Sequence, residues 1–278
     1  MNNAIEKRLA RARGRQIAAM LFVYAIFYTC RLAFSASKKD MIEQGAYTAK
    51  EIGVVGSAML IAYAIGKFVN GFIADRVNVR RYVMFGLFVS ALANFVVGFH
   101  IPALMLAVVW FVNGLAQSTG APCCVVALSR WWPKERRGTY YGIWSCSNNL
   151  GEVLAYILTA GVMVWAGAHY GADYAWRSCF WGAAAMGAVG IAAAWFFFGN
   201  APEDEGLPPV PVDAAEAKVD TAGGQKIALT APAVWLIAIA GGLFTGSRYV
   251  CRPGGAKMDS DVCEVVLEPA CQSRVRVK

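Results

Sequence analysis

The sequence predicts an all-α membrane protein, on three observations. Of 278 residues, 58% are hydrophobic and only 16% are charged. The hydrophobic residues fall into seven blocks, at about 16–37, 52–74, 82–99, 101–129, 138–168, 178–199 and 232–250, each long enough for a helix across a hydrocarbon core of about 30 Å. Charge is nearly absent inside these blocks: Arg31 is alone in the first, Lys67 precedes Asp75 in the second, Glu152 is alone in the fifth, and the third, fourth and sixth carry none. A soluble domain does not distribute charge this way.

The net charge of +8 raises nucleic acid as a partner, but the basic residues sit in short loops between apolar blocks, where membrane topology explains them. No nucleic-acid partner is expected; the bilayer is. Eight cysteines show no metal-ligand spacing. Cys30, Cys123, Cys124, Cys146 and Cys179 fall in apolar blocks, where a reduced structural thiol is the default. The composition implies no metal, no cofactor and no catalytic constellation, so an enzyme is not expected. The basic N-terminus before an apolar run resembles a signal peptide, but Arg31 and six further apolar blocks favour a retained first helix.

Taken in order, residues 1–15 form a basic cytoplasmic segment and 16–199 a six-helix bundle. In the fourth block Pro122 should bend the helix, because proline lacks the N–H and crowds the preceding turn. Twelve lysines and arginines fall on the N-terminal side (Lys7, Arg8, Arg11, Arg13, Arg15, Arg76, Arg80, Arg81, Arg130, Lys134, Arg136, Arg137), against four on the other (Lys38, Lys39, Lys50, Arg177). That asymmetry places the N-terminus in the cytoplasm. Residues 200–231 are rich in proline, alanine and acids and read as a mobile cytoplasmic linker. A seventh helix spans 232–250. The tail, 251–278, contains no apolar block.

The costliest residue is Arg31. An arginine near the bilayer centre costs roughly 2.5–3.5 kcal/mol on insertion scales. Tyr24, Tyr28 and Arg31 stand at i, i+4 and i+7 and share one helix face, a cation flanked by phenols that suits an anion. Snorkelling to lipid headgroups, or pairing with an acid elsewhere, is the alternative. Tyr63 and Asn70 lie at i−4 and i+3 from Lys67 and make its face polar. On the fifth block Ser145, Asn148, Asn149, Glu152 and Tyr156 form a polar stripe, fit for a site or for joining helices.

Gly71-Phe-Ile-Ala-Asp75-Arg76-Val-Asn78-Val-Arg80-Arg81 closes the second block. It resembles the loop motif of the major facilitator superfamily, with Asn78 in place of a glycine, a tolerable exchange because asparagine also visits left-handed conformations. The Tyr24-x-x-x-Tyr28-x-x-Arg31 face, Ala62–Phe68, Asn113–Gln117, Trp131–Thr139 and Trp144–Gly151 further resemble the organophosphate:phosphate antiporters, among them glycerol-3-phosphate and hexose-phosphate transporters and a hexose-phosphate sensor. The resemblance implies the N-terminal six-helix bundle of the major facilitator fold plus a seventh helix. It also implies a bacterial plasma-membrane antiporter exchanging a small phosphorylated metabolite for inorganic phosphate.

By the same resemblance Arg31 and Arg248 clamp the phosphate, Lys67 adds positive charge, and Tyr24, Tyr28 and Asn148 orient the organic group. Gly71, Asp75, Arg76 and Arg80 form a gating motif. Arg31 and Arg248 lie about 15 and 16 residues into their helices, roughly 22–24 Å from the same membrane face, so both depths suit one site. Asn148 stands where glycerol-phosphate carriers have histidine, and Glu152 where they have glycine. Glu152 is therefore expected to tune coupling or selectivity, by neutralising Lys67 or by taking a proton. After Tyr249 the resemblance stops, and five further helices would be needed for two bundles. A missing C-terminal half, a homodimer of half-transporters, a sensor signalling through a kinase and a non-functional fragment all remain open at this point.

Overall fold

The computed structural model describes residues 3–210 and 221–250; for residues 3, 221–222, 227–228, 242 and 244–250 only the backbone is described. Nine α-helices form among the described residues: α1 (Asn3–Glu43), α2 (Ala49–Ala74), α3 (Val79–Val97), α4 (Ala103–Gln117), α5 (Gly120–Trp131), α6 (Lys134–Tyr170), α7 (Ala172–Phe197), α8 (Thr221–Thr230) and α9 (Pro232–Val250). The chain divides into two compact units, Met1–Ala217 and Lys218–Lys278. Six helical stretches of the first unit are long and apolar enough to cross a membrane, α4 and α5 counting together as one. In the second unit, Pro232–Gly241 is a shorter apolar stretch, and the Trp235 indole N–H donates to the Leu229 carbonyl at 2.8 Å.

The ends of the spans follow local chemistry. The first helix runs well past the apolar block at both ends, because Glu6, Arg8, Leu9, Ala10 and Arg11 are good helix formers. At 41 residues it is about 60 Å long. Thr48 and Glu51 close a reciprocal capping box at the start of α2. Gly171, at φ 93°, makes the one-residue corner between α6 and α7, a conformation that strains any side chain.

The fourth span departs from the expected bend at Pro122. The helix stops after Gln117 and restarts at Gly120. Proline cannot donate to the carbonyl four residues back, and its ring crowds that carbonyl, so the disruption lands at Ser118–Thr119. The loosened turn is held by side chains: the Ser118 and Thr119 hydroxyls donate to the Leu115 and Ala116 carbonyls at 2.6 and 2.8 Å. Asn70 is turned into this break. Its Nδ2 donates to Ser118 Oγ at 2.6 Å, and its Oδ1 accepts from the Tyr82 hydroxyl at 2.6 Å. Asn70 therefore joins helices and does not extend the polar face of Lys67.

Two apolar cores lie along α1. Met20, Phe27, Cys30, Trp131, Trp132 and Trp144 belong to the first; Phe34, Tyr47, Trp110, Trp176 and Phe180 belong to the second. Arg31 follows the last α1 residue of one core and precedes Ala33, the first of the other. Close approach of the helices rests on small residues. A Cβ on Gly114 would come 2.7 Å from the Met59 carbonyl oxygen, and one on Gly151 would come 2.8 Å from Ala25 Cα. Large apolar side chains such as Leu60, Phe88, Leu104 and Val164 point outward, as they do in a bilayer.

At the basic end residues 200–207, the start of the stretch 200–231 read as a mobile linker, are docked on the bundle, while residues 211–220 of that stretch lie outside the described residues. Buried Gln16 exchanges two hydrogen bonds with the Gly199 backbone, at 3.0 and 2.6 Å. Asn200 Oδ1 accepts from Val79 N at 3.0 Å and from Arg130 Nη1 at 2.6 Å, and Arg15 pairs with Glu205. A 3-10 turn, Pro202–Glu205, ends on left-handed Gly206 and seats Leu207 in the first core. Replacing Asn200 with alanine strands the Val79 amide and takes one of three acceptors, beside the Val77 and Asp75 carbonyls, from the Arg130 guanidinium. It should cost about 1–3 kcal/mol of stability, read as earlier thermal unfolding in detergent, and Asn200→Asp should recover most of it by keeping the acceptor.

Candidate functional site

The site is built on α1, α2 and α6. The Arg31 guanidinium carbon lies 4.1 Å from the Tyr63 ring centroid and 5.2 Å from that of Tyr28. Lys67 Nζ approaches the same Tyr63 ring at 5.0 Å. Two cations from two helices thus share one phenol, whose ring face offsets part of their repulsion. Neither cation makes an ion pair among the described residues, so the neutralisation of Lys67 by Glu152 is not seen. The Nε of Arg31 is buried and has no hydrogen-bond partner.

The α6 wall complements this. Tyr28 and Ala25 pack on Gly151, whose missing side chain lets α6 touch the α1 backbone. Asn148 stands one turn before Gly151, and its buried Oδ1 also lacks a partner. An unspent cationic donor and an unspent neutral acceptor therefore remain on adjoining walls, in an interior where such atoms are rarely left idle. Tyr24 is 5% exposed. Its ring lies 4.8 Å from Trp144 and 5.6 Å from Tyr28, so it is a floor under Tyr28. Glu152 is half-buried one turn beyond Asn148. Ser145 spends its hydroxyl on the Tyr141 carbonyl at 2.8 Å. The side chain of Arg248 lies outside the described residues, as does the tail 251–278.

Tyr63 is the residue that sequence reasoning passed over. It was noted only as polar company for Lys67, although its i−4 spacing put its ring under the lysine. The loop motif is also clearer in space. Asn78 sits at φ −71°, and its side chain accepts the Arg81 N–H at 3.1 Å. It is thus the N-cap of α3, and no left-handed residue is needed there. Arg80 donates to the Trp195 carbonyl and stacks 5.0 Å from that ring. Arg130 Nη2 donates to the Asp75 carbonyl at 3.2 Å, and Arg76 Nη1 to that of Phe72 at 3.4 Å. Asp75 caps α2 with an exposed side chain, and a Cβ on Gly71 would meet open space.

Residues 20–250 match the Major Facilitator Superfamily. The chain belongs to that family. Its curated relatives include the membrane sensor protein UhpC of Salmonella typhimurium, 30% identical over 78% of this chain and 50% of the sensor. The glycerol-3-phosphate transporter of Haemophilus influenzae is 32% identical over 74% of this chain and 45% of the transporter. Sugar phosphate exchanger 3 of Xenopus laevis is 35% identical over 63% and 33%. The transporter and the sensor are of the kinds to which the Tyr24–Arg31 face and the Trp131–Thr139 stretch pointed. The chain spans about half the length of the first two. A bacterial homologue of the human lysosomal transporter Spinster, in an inward-facing and unoccupied conformation, shares the fold with a TM-score of 0.60 at 15% identity. That match covers 81% of this chain and 50% of the other.

Proposed function

We propose that this chain carries the phosphate-binding N-terminal bundle of an antiporter exchanging a small phosphorylated metabolite for inorganic phosphate. The supporting observation is the gathering of Arg31 and Lys67 around Tyr63 with the Arg31 Nε unspent. A tetrahedral phosphate matches the forked guanidinium as a paired acceptor, and the ammonium adds a second charge. Asn148 Oδ1 accepts a hydroxyl from the organic group, Tyr28 packs beside it, and Tyr24 positions Tyr28. Gly71, Asp75, Arg76 and Arg80 form the gate. The bundle sits in a bacterial plasma membrane with its N-terminus in the cytoplasm. Alternating access needs a second bundle, either a C-terminal half or a second copy.

The breadth of the match to a sensor supports a second reading, in which the same site binds hexose phosphate and signals to a kinase partner. Exchange of labelled phosphate in proteoliposomes separates the two. External sugar phosphate should release labelled phosphate from vesicles holding the protein, and binding without exchange favours the sensor. Binding of neither ligand overturns both readings. Glu152→Gln should flatten the pH profile of exchange if Glu152 couples a proton to transport; superimposed profiles would remove that role.

A further inference from the structure

A second unspent set of donors lies on another face of the bundle, at the end opposite Arg15 and Glu205. Between α3 and α7 runs an open groove of about 440 Å³, lined by Leu92, Phe95, Trp181, Ala184, Ala188 and Ile191 among others. Both helices are membrane spans, so the groove lies at acyl-chain depth. From Trp181 to Ile191 is ten residues, about 15 Å of helix, which is one leaflet of the hydrocarbon core.

The head of the groove is polar. The Trp181 indole is pressed against Gly98, where a Cβ would come 2.2 Å from Nε1, and that Nε1 is buried with no partner. One turn nearer the membrane surface on the same α7 face stands Arg177. Its Nη2 lies 3.5 Å from His100 Nδ1, and its guanidinium carbon is 5.6 Å and 5.5 Å from the Tyr174 and Trp176 rings. Arg177 Nε is buried and unpartnered, and Arg177 makes no ion pair among the described residues. His100 adopts φ 55° to reach this position, a conformation that costs a non-glycine residue energy and is kept where the surroundings hold it. The indole, and the guanidinium beside it, can only donate hydrogen bonds.

We propose that this groove holds one phospholipid: its phosphate on Arg177 beside His100, an ester carbonyl on the Trp181 indole N–H, and one acyl chain along α3 and α7. The order of groups matches the molecule. A phosphodiester is anionic and accepts only, the ester carbonyls follow it inward, and hydrocarbon comes last. A free phosphate would use Arg177 alone and leave the indole and the groove unfilled.

The test titrates the detergent-purified protein with phosphatidylglycerol carrying brominated acyl chains, reading tryptophan fluorescence. Quenching should saturate at one lipid per chain, and Trp181→Phe should remove its saturable part although eight of the nine tryptophans remain. Arg177→Gln should need about tenfold more lipid, the loss of one charge-assisted contact. Ala188→Phe, which plugs the groove below the headgroup, should weaken binding comparably while circular dichroism stays unchanged. Brominated diacylglycerol, lacking the phosphate, should bind as Arg177→Gln does. Equal quenching of wild type and Arg177→Gln, or full displacement by millimolar inorganic phosphate, would overturn the proposal. So would a dimeric mass with no saturable quenching, which assigns the groove to a second copy.

Discussion

Arg31→Gln should weaken binding of phosphate and phosphate esters by roughly 100-fold, the loss of about 3 kcal/mol when charge-assisted hydrogen bonds to an anion are removed. Arg31→Lys is the sharper variant. It keeps the charge but gives up the planar fork and the fit over Tyr63, and should weaken binding by about tenfold. Equilibrium binding of labelled phosphate to the purified protein measures both. Tyr63→Leu should lower affinity in the same direction, because Arg31 and Lys67 would then lose the phenol that both contact. Tyr63→Phe keeps the ring but loses the hydroxyl that hydrogen-bonds Arg31 and Lys67, and should fall between Tyr63→Leu and wild type. If Arg31→Gln binds as wild type does, the cation serves lipid or structure, and the phosphate reading falls.

The fold class and family were legible because lipid imposes a simple rule: spans are long, apolar and nearly free of charge, so each exception stands out. Arg31, Lys67 and Glu152 were visible as exceptions before any contact was known. The break at Ser118–Thr119 was misplaced for a physical reason, since a proline disrupts the carbonyl four residues earlier and not its own position. Asn78 was misread because a side chain that can visit the left-handed region can also cap a helix, and sequence does not choose between them. The docking of Asn200–Leu207 was hidden for a related reason. Its composition is that of a linker, and what holds it is a few side-chain hydrogen bonds, from Gln16 to the Gly199 backbone and from Val79 N–H and Arg130 to Asn200 Oδ1, which leave little periodic trace. Tyr63 was missed because its role is shared between helices, and single-helix spacing describes only one of its two partners.

The site itself depends on how closely α1 and α6 approach, which makes Gly151 the glycine whose substitution should reach the site most directly. A Cβ there would stand 2.8 Å from Ala25 Cα, 3.0 Å from Tyr28 Cβ and 3.2 Å from the Ala25 carbonyl oxygen. Two of these three are backbone atoms, so no rotamer change relieves the clash, and the helices must separate. Gly151→Ala should cost about 1–3 kcal/mol by overpacking, and Gly151→Leu more. The same separation pulls Tyr24 off Trp144 and carries Asn148 on α6 away from Arg31 on α1, so phosphate affinity should fall together with stability. Gly161→Ala is the internal control, because a Cβ there meets nothing within 4 Å and alanine favours helix over glycine. Thermal unfolding in detergent, read beside phosphate binding, should place Gly161→Ala at or above wild type and both Gly151 variants below it. If Gly151→Leu matches wild type in both, the α1–α6 contact does not hold the site together, and Tyr28 and Asn148 must be positioned by something other than this crossing.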